Sequence, residues 1–132
     1  MKKSRIIIFA APVIVFYVLL TGCASSQNST NGMTFTRTAT GITVNVSEDE
    51  FHVHMPTSFP AGTVTFHITN NGTHDHNFKI SGMDIEKQLP SDLKPDSTAD
   101  LTIPLVPGTY GVDCPIIGHA MLGMRLDVTV TP

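Results

Sequence analysis

Residues 64–69 read Val-Thr-Phe-His-Ile-Thr, and this strict alternation constrains the fold more than any other feature of the chain. Successive side chains on a β-strand point to opposite faces, so Val64, Phe66 and Ile68 share one face and Thr65, His67 and Thr69 the other. Leu126, Val128 and Val130 alternate with Arg125, Asp127 and Thr129 in the same way, and ITVNV, EFHVHM, ADLTI and TYGVDC follow the pattern. Pro60-Ala61-Gly62, Asn70-Asn71-Gly72, Ser81-Gly82 and Pro107-Gly108 supply turns between these segments. Residues 83–97 are polar and irregular and read as a short strand and a loop, and no segment carries a long helical period. Several short half-buried strands within about 100 residues predict an all-β domain, a two-sheet antiparallel Greek-key sandwich, over 33–132.

The start of the chain has a different character. Lys2, Lys3 and Arg5 precede an apolar run from Ile6 to Leu20, followed by Leu20-Thr21-Gly22-Cys23. A basic start, an apolar run too short to span a bilayer and a small-residue cleavage point describe an export signal over residues 1–22. LTGC resembles the bacterial lipobox, in which cleavage exposes a cysteine that carries lipid, so Cys23 is the expected lipidation site. Residues 23–32 are small and polar and read as a flexible tether, about 15–20 Å as a coil. The expected location is the cell envelope, with the domain exported and held to a membrane by N-terminal lipid.

Processing changes the charge. Three of the eight basic residues and none of the eleven acidic ones lie within residues 1–22, so the remaining chain carries a net charge of −6. An acidic domain of this size argues against nucleic acid as a partner. With Cys23 assigned to lipid, Cys114 has no second cysteine to pair with in an oxidising compartment. A lone thiol there calls for burial, an intermolecular partner or a metal.

The segment Cys114-Pro-Ile-Ile-Gly-His119-Ala-Met-Leu-Gly-Met124 lies between two predicted strands. Thiolate and thioether stabilise Cu(I), imidazole accepts both oxidation states, and a His₂Cys set with a weak axial Met is the blue-copper arrangement. Gly118 and Gly123 give the backbone freedom to bend around an ion. A second histidine must come from elsewhere, and His74 and His76 are both candidates. His76 begins the alternating stretch HNFKI, where a strand would hold it, and rigid placement favours it over His74. On the loop, Met121 and Met124 are rival thioethers.

These segments closely resemble the cupredoxin (plastocyanin/azurin-like) family, particularly bacterial members with a C-x4-H-x4-M loop. The resemblance extends over PAGTVTFHITNNGT, the Pro-Gly-Thr-Tyr turn and the terminal valine-rich strand, roughly residues 40–131. It implies one type 1 copper ion held by His76, Cys114, His119 and Met124, the family spacing choosing Met124 over Met121. It also implies that Asn77 ties the two ligand segments together. The hydroxyl residue often found beside the family cysteine is replaced by Asp113 and Pro115, which leaves the partner of Asn77 open.

The expected function is single-electron carriage between redox partner proteins by a monomer, not an enzyme. The chain shows no nucleophile elbow, phosphate-cradling loop or carboxylate pair, and it lacks the second cysteine of a binuclear copper centre. Ile116, Ile117, Met121 and Leu122 are candidates for an apolar rim around His119. Two other functions remain open. One is copper handling, as chaperone or resistance factor, which would use His52, His54, His74, Met55 and Met83. The other is service as the electron-donor subunit of a larger enzyme. His52 and His54 share one strand face with metal-capturing spacing, and a solvated polar face is the alternative reading of the pair.

Overall fold

The computed structural model describes residues 26–30 and 33–132. The export segment and Cys23 lie outside the described residues. Among the described residues no helix is long and apolar enough to cross a membrane.

Among the described residues, eleven strands and one helical turn follow in chain order. They are β1 Ser26–Thr30, β2 Met33–Thr38, β3 Gly41–Asp49, β4 His52–His54, β5 Ser58–Pro60, β6 Gly62–Asn70, β7 Lys79–Gly82, β8 Ile85–Gln88, β9 Thr98–Leu105, β10 Gly108–Asp113, α1 His119–Leu122 and β11 Arg125–Thr131. One sheet has the order β1-β2-β3-β6-β9, with β4 also paired to β3; the other has the order β5-β11-β10-β7-β8.

The alternation does what period two requires. Val44, Val46, Val64, Phe66, Ile68 and Ile103 bury the inner face of the first sheet, and Ile80, Tyr110, Val112, Val128 and Val130 that of the second. Phe59, on β5, meets Phe66 edge-on at 5.8 Å, and Phe66 meets Phe78 at 5.0 Å. Each such side chain contributes about 1.5–3 kcal/mol by leaving water. Tyr110 is fully buried, and its hydroxyl donates to the Val106 carbonyl at 2.9 Å, which satisfies the one polar atom it carries inward.

Both sheets are mixed, a refinement of the antiparallel expectation. β3 pairs parallel with β6, and β5 pairs parallel with β11. Parallel neighbours need a long crossover. The chain supplies one by leaving β3 through the β4 hairpin, visiting the second sheet as β5 and returning as β6.

Two local differences bear on the sequence reading. Residues 26–30, within the stretch read as a coil-like tether, form the edge strand β1 and pair antiparallel with β2 from Ser26↔Arg37 to Thr30↔Met33. An edge strand of small polar residues leaves no apolar period to detect. The strand expected from His76 begins instead at Lys79; His76 itself is fixed by an isolated bridge to Leu93.

Candidate metal centre

The ligand loop connects β10 to β11 and closes on itself. The Cys114 N–H donates to the Met124 carbonyl at 3.0 Å, the Met124 N–H to the His119 carbonyl at 3.1 Å, and the His119 N–H to the Ile116 carbonyl at 3.1 Å. Gly118 at φ 89° and Gly123 at φ 132° flank α1, in the left-handed range that side chains resist. A Cβ on Gly123 would also lie 2.8 Å from the Phe51 carbonyl, so the loop rests directly on the β3–β4 hairpin.

His76 enters from the other side. Its N–H donates to the Leu93 carbonyl at 3.0 Å and its carbonyl accepts from the Leu93 N–H at 2.7 Å, which fixes the residue without a strand. Its Nδ1 lies 3.3 Å from His119 Nδ1, and His119 Nδ1 lies 3.6 Å from Cys114 Sγ. The ligand atoms of His76, Cys114 and His119 all fall within 4.8 Å of one another. An ion bonded at about 2.0–2.3 Å to imidazole and thiolate would set trigonal ligands roughly 3.5–3.8 Å apart, so the spacing fits.

The structure separates the rivals left by the sequence. His76 is fully buried, whereas His74 is exposed and its Nδ1 donates to Glu50 Oε1 at 3.1 Å. Met124 is fully buried at the loop's end, whereas Met121 is 91% exposed. His119 is half-buried, the outermost of the nitrogen and sulfur donors.

Burial pushes the Cys114 thiol up, with Glu48 and Asp92 adding to the effect, while the N–H groups of Ile116 and Asn77 oppose it. A thiolate in this position therefore needs a cation. Desolvation, and then the neighbouring His119, push His76 down, which keeps its imidazole neutral and able to ligate. Two imidazoles, one buried thiol and one buried thioether make a soft set suited to one type 1 copper, and the residues present fit that ion.

Asn77 lies between the two ligand segments. Its backbone N–H, not its side chain, reaches the sulfur, at 3.4 Å from Cys114 Sγ. Its side-chain amide donates to Asp92 Oδ1 at 2.8 Å, and its Oδ1 is buried without a partner. Pro115, beside the cysteine, offers neither a hydroxyl nor an N–H to this oxygen.

Three residues of the surroundings have no role in the sequence reading. Glu50 Oε1 accepts from the N–H groups of Thr73 and His74, both at 2.7 Å, and lies 3.4 Å from His76 Nε2. The His74 N–H, with that of Thr73 and the His74 side chain, holds the Glu50 carboxyl down to about 2. Phe51 packs its ring edge-on to His119. Glu48 is fully buried, neither carboxylate oxygen has a partner, and desolvation pushes it up to about 7. The sequence signals burial for Glu48, which continues the inward parity of Val44 and Val46, and for Phe51, which shares that of Val53 and Met55.

A two-sheet β-sandwich that gathers Cys, two His and a buried Met at the end of its β10–β11 loop defines a cupredoxin. The chain belongs to the family of the cupredoxin-like domain, whose family model matches residues 12–124. Solved structures agree on the fold. An auracyanin from Roseiflexus castenholzii, reduced with dithionite, is 22% identical with a TM-score of 0.56, covering 68% of this chain and 97% of that one. Auracyanin A, a "blue" copper protein of Chloroflexus aurantiacus, is 19% identical with a TM-score of 0.55, covering 67% and 98%. Reduced rusticyanin is 25% identical with a TM-score of 0.55, covering 68% and 79%. No protein of curated function matches the sequence.

Proposed function

We propose that this protein is an envelope-anchored blue copper protein that carries single electrons between redox partner proteins. The observation that carries the reading is the difference in exposure among the ligands. His76, Cys114 and Met124 are buried, while half-buried His119 sits on a loop whose Ile117 is 99% exposed, with Met121 and Leu122 also exposed. When bound, copper supplies a one-electron Cu(II)/Cu(I) couple. His76, Cys114 and Met124 exclude water from that couple, and the hydrogen-bonded loop holds the donors in one arrangement. His119 gives the couple its edge towards a partner, and the apolar side chains around it form a small surface for brief docking. Similarity to auracyanin and rusticyanin supports the reading. Lipid on Cys23 would keep the domain at a membrane surface, with no nucleic acid among its partners.

Copper-loaded visible and electron paramagnetic resonance spectra test the centre. An intense thiolate-to-Cu(II) band is expected, and it should vanish in Cys114→Ser. Met121→Ser and Leu122→Ser should slow electron exchange and leave that band unchanged; unaltered exchange rates would remove the docking role. The intact mass of protein recovered from membranes reads the anchor directly, and a mature chain without added lipid would refute it. A colourless protein that takes up only Cu(I) would instead make it a copper-handling protein.

A further inference from the structure

A second group of side chains able to hold a metal lies on the β3–β4 hairpin, outside the inner ligand set. Asp49 closes β3 and is the direct cross-strand partner of His52, while His54 stands two residues further along β4. Cross-strand partners share a face, and so do residues two apart on a strand, so all three side chains project from one side of the hairpin. Val53, between the two histidines, is buried, which turns both imidazoles outward.

The contacts follow from this placement. Asp49 Oδ2 lies 3.1 Å from His54 Nε2, and Asp49 Oδ1 lies 3.4 Å from His52 Nδ1. The two rings stack with centroids 5.7 Å apart and planes 25° from parallel. One nitrogen from each ring and one carboxylate oxygen all fall within 4.8 Å of one another. Asp49 Oδ1 is shut off from solvent and receives no hydrogen bond, and its only close cationic neighbour among the described residues is His52 Nδ1 at 3.4 Å. The His52 and His54 side chains are 66% and 42% exposed, which leaves an open approach and positions for water ligands.

We propose that Asp49, His52 and His54 form a second, solvent-facing site for a divalent transition-metal ion, with Cu(II) its preferred occupant. Two imidazoles and a carboxylate are borderline-to-hard donors, and for such sets affinity among first-row divalent ions peaks at Cu(II). With no thiolate or thioether, this site disfavours Cu(I). It therefore holds the oxidised ion and takes no part in the inner couple. A cation there would also give the Asp49 carboxylate, one oxygen of which receives no hydrogen bond, a charged partner. The site does not depend on the inner centre, since no residue is shared between them.

Protein already loaded with one copper is titrated with Cu(II). A second equivalent is expected, with the resonance spectrum of a nitrogen- and oxygen-ligated ion and no change in the inner visible band. His52→Asn and His54→Asn should each weaken that equivalent by at least about tenfold, since even loss of a residue that only supports a ligand costs 10–100-fold. A stoichiometry that stays at one overturns the proposal, as does a second equivalent that binds the double variant as tightly as the parent. A measurement independent of inner copper uses Zn(II) with Cys114→Ser protein and observes the histidine ring resonances. Those of His52 and His54 should shift together while those of His67 stay put; unshifted His52 and His54 rings overturn the site whatever the inner centre does.

Discussion

Phe51 lays its ring edge-on against the imidazole of His119, with centroids 5.0 Å apart and planes at 72°. One residue belongs to the hairpin of the first sheet and the other to the ligand loop of the second. Their contact, together with that of Gly123 on the Phe51 carbonyl, is where the two sheets meet over the metal centre. The outermost ligand is thus held in place from the opposite half of the sandwich.

Removing that ring tests the contact. Phe51→Ala should destabilise the fold by about 2 kcal/mol, below the 3–5 kcal/mol of a fully buried aromatic because Phe51 is half-buried. Copper affinity should fall with it, since His119 loses its lateral support, whereas Phe51→Leu should recover most of both. Denaturant unfolding of the apoprotein and competition with a chelator measure the two effects separately.

Glu48 makes the stability of the fold depend on pH. Its carboxyl is pushed up from 4.5 to about 7 in the folded chain, so the folded state binds its proton more tightly than the unfolded one. Stability from this group is therefore full below about pH 4.5 and is lost as pH rises to about 7, a fall of about 3 kcal/mol. Glu48→Gln should flatten that slope. Melting temperatures of apoprotein between pH 4 and pH 8 read it, and an unchanged slope in the variant would assign it to another group.

Glu50 acts with the opposite sign. Held at about 2 by the N–H groups of His74 and Thr73, it favours the fold above about pH 4.5, and this support is lost as pH falls towards 2. Glu50→Gln keeps an acceptor for those N–H groups but removes a negative charge 3.4 Å from His76 Nε2. That charge favours Cu(II), so the variant should have a higher reduction potential, with about 60 mV for each tenfold change in the relative binding of the two oxidation states. Protein-film voltammetry of the two proteins gives the shift.

The sequence made some of these features easier to read than others. Val64, Phe66 and Ile68 declare their face because a strand repeats every two residues, and Cys114, His119 and Met124 declare one loop because they are local in the chain. His76 is preferred to His74 on the expectation of a strand that begins only at Lys79. Its burial against Leu93, 17 residues ahead, depends on a backbone bridge between irregular segments that no periodic pattern encodes. The parallel β3–β6 and β5–β11 pairs were hidden because alternation fixes which face is buried and not which neighbour a strand takes. Phe51 and Glu50 reach the centre through the direction of a hairpin tip, a property of tertiary assembly. α1 has only four residues, too few to leave a helical period.

The bond between the Cys114 N–H and the Met124 carbonyl closes an eleven-residue ring from within the protein. In coordination chemistry a macrocycle releases its ion slowly because its donors cannot peel away one at a time. The same logic applies here. Cys114, His119 and Met124 should let go together or not at all, so exchange of the ion should follow the opening of this one clasp, and a variant that loosens it should speed release far more than it weakens equilibrium binding.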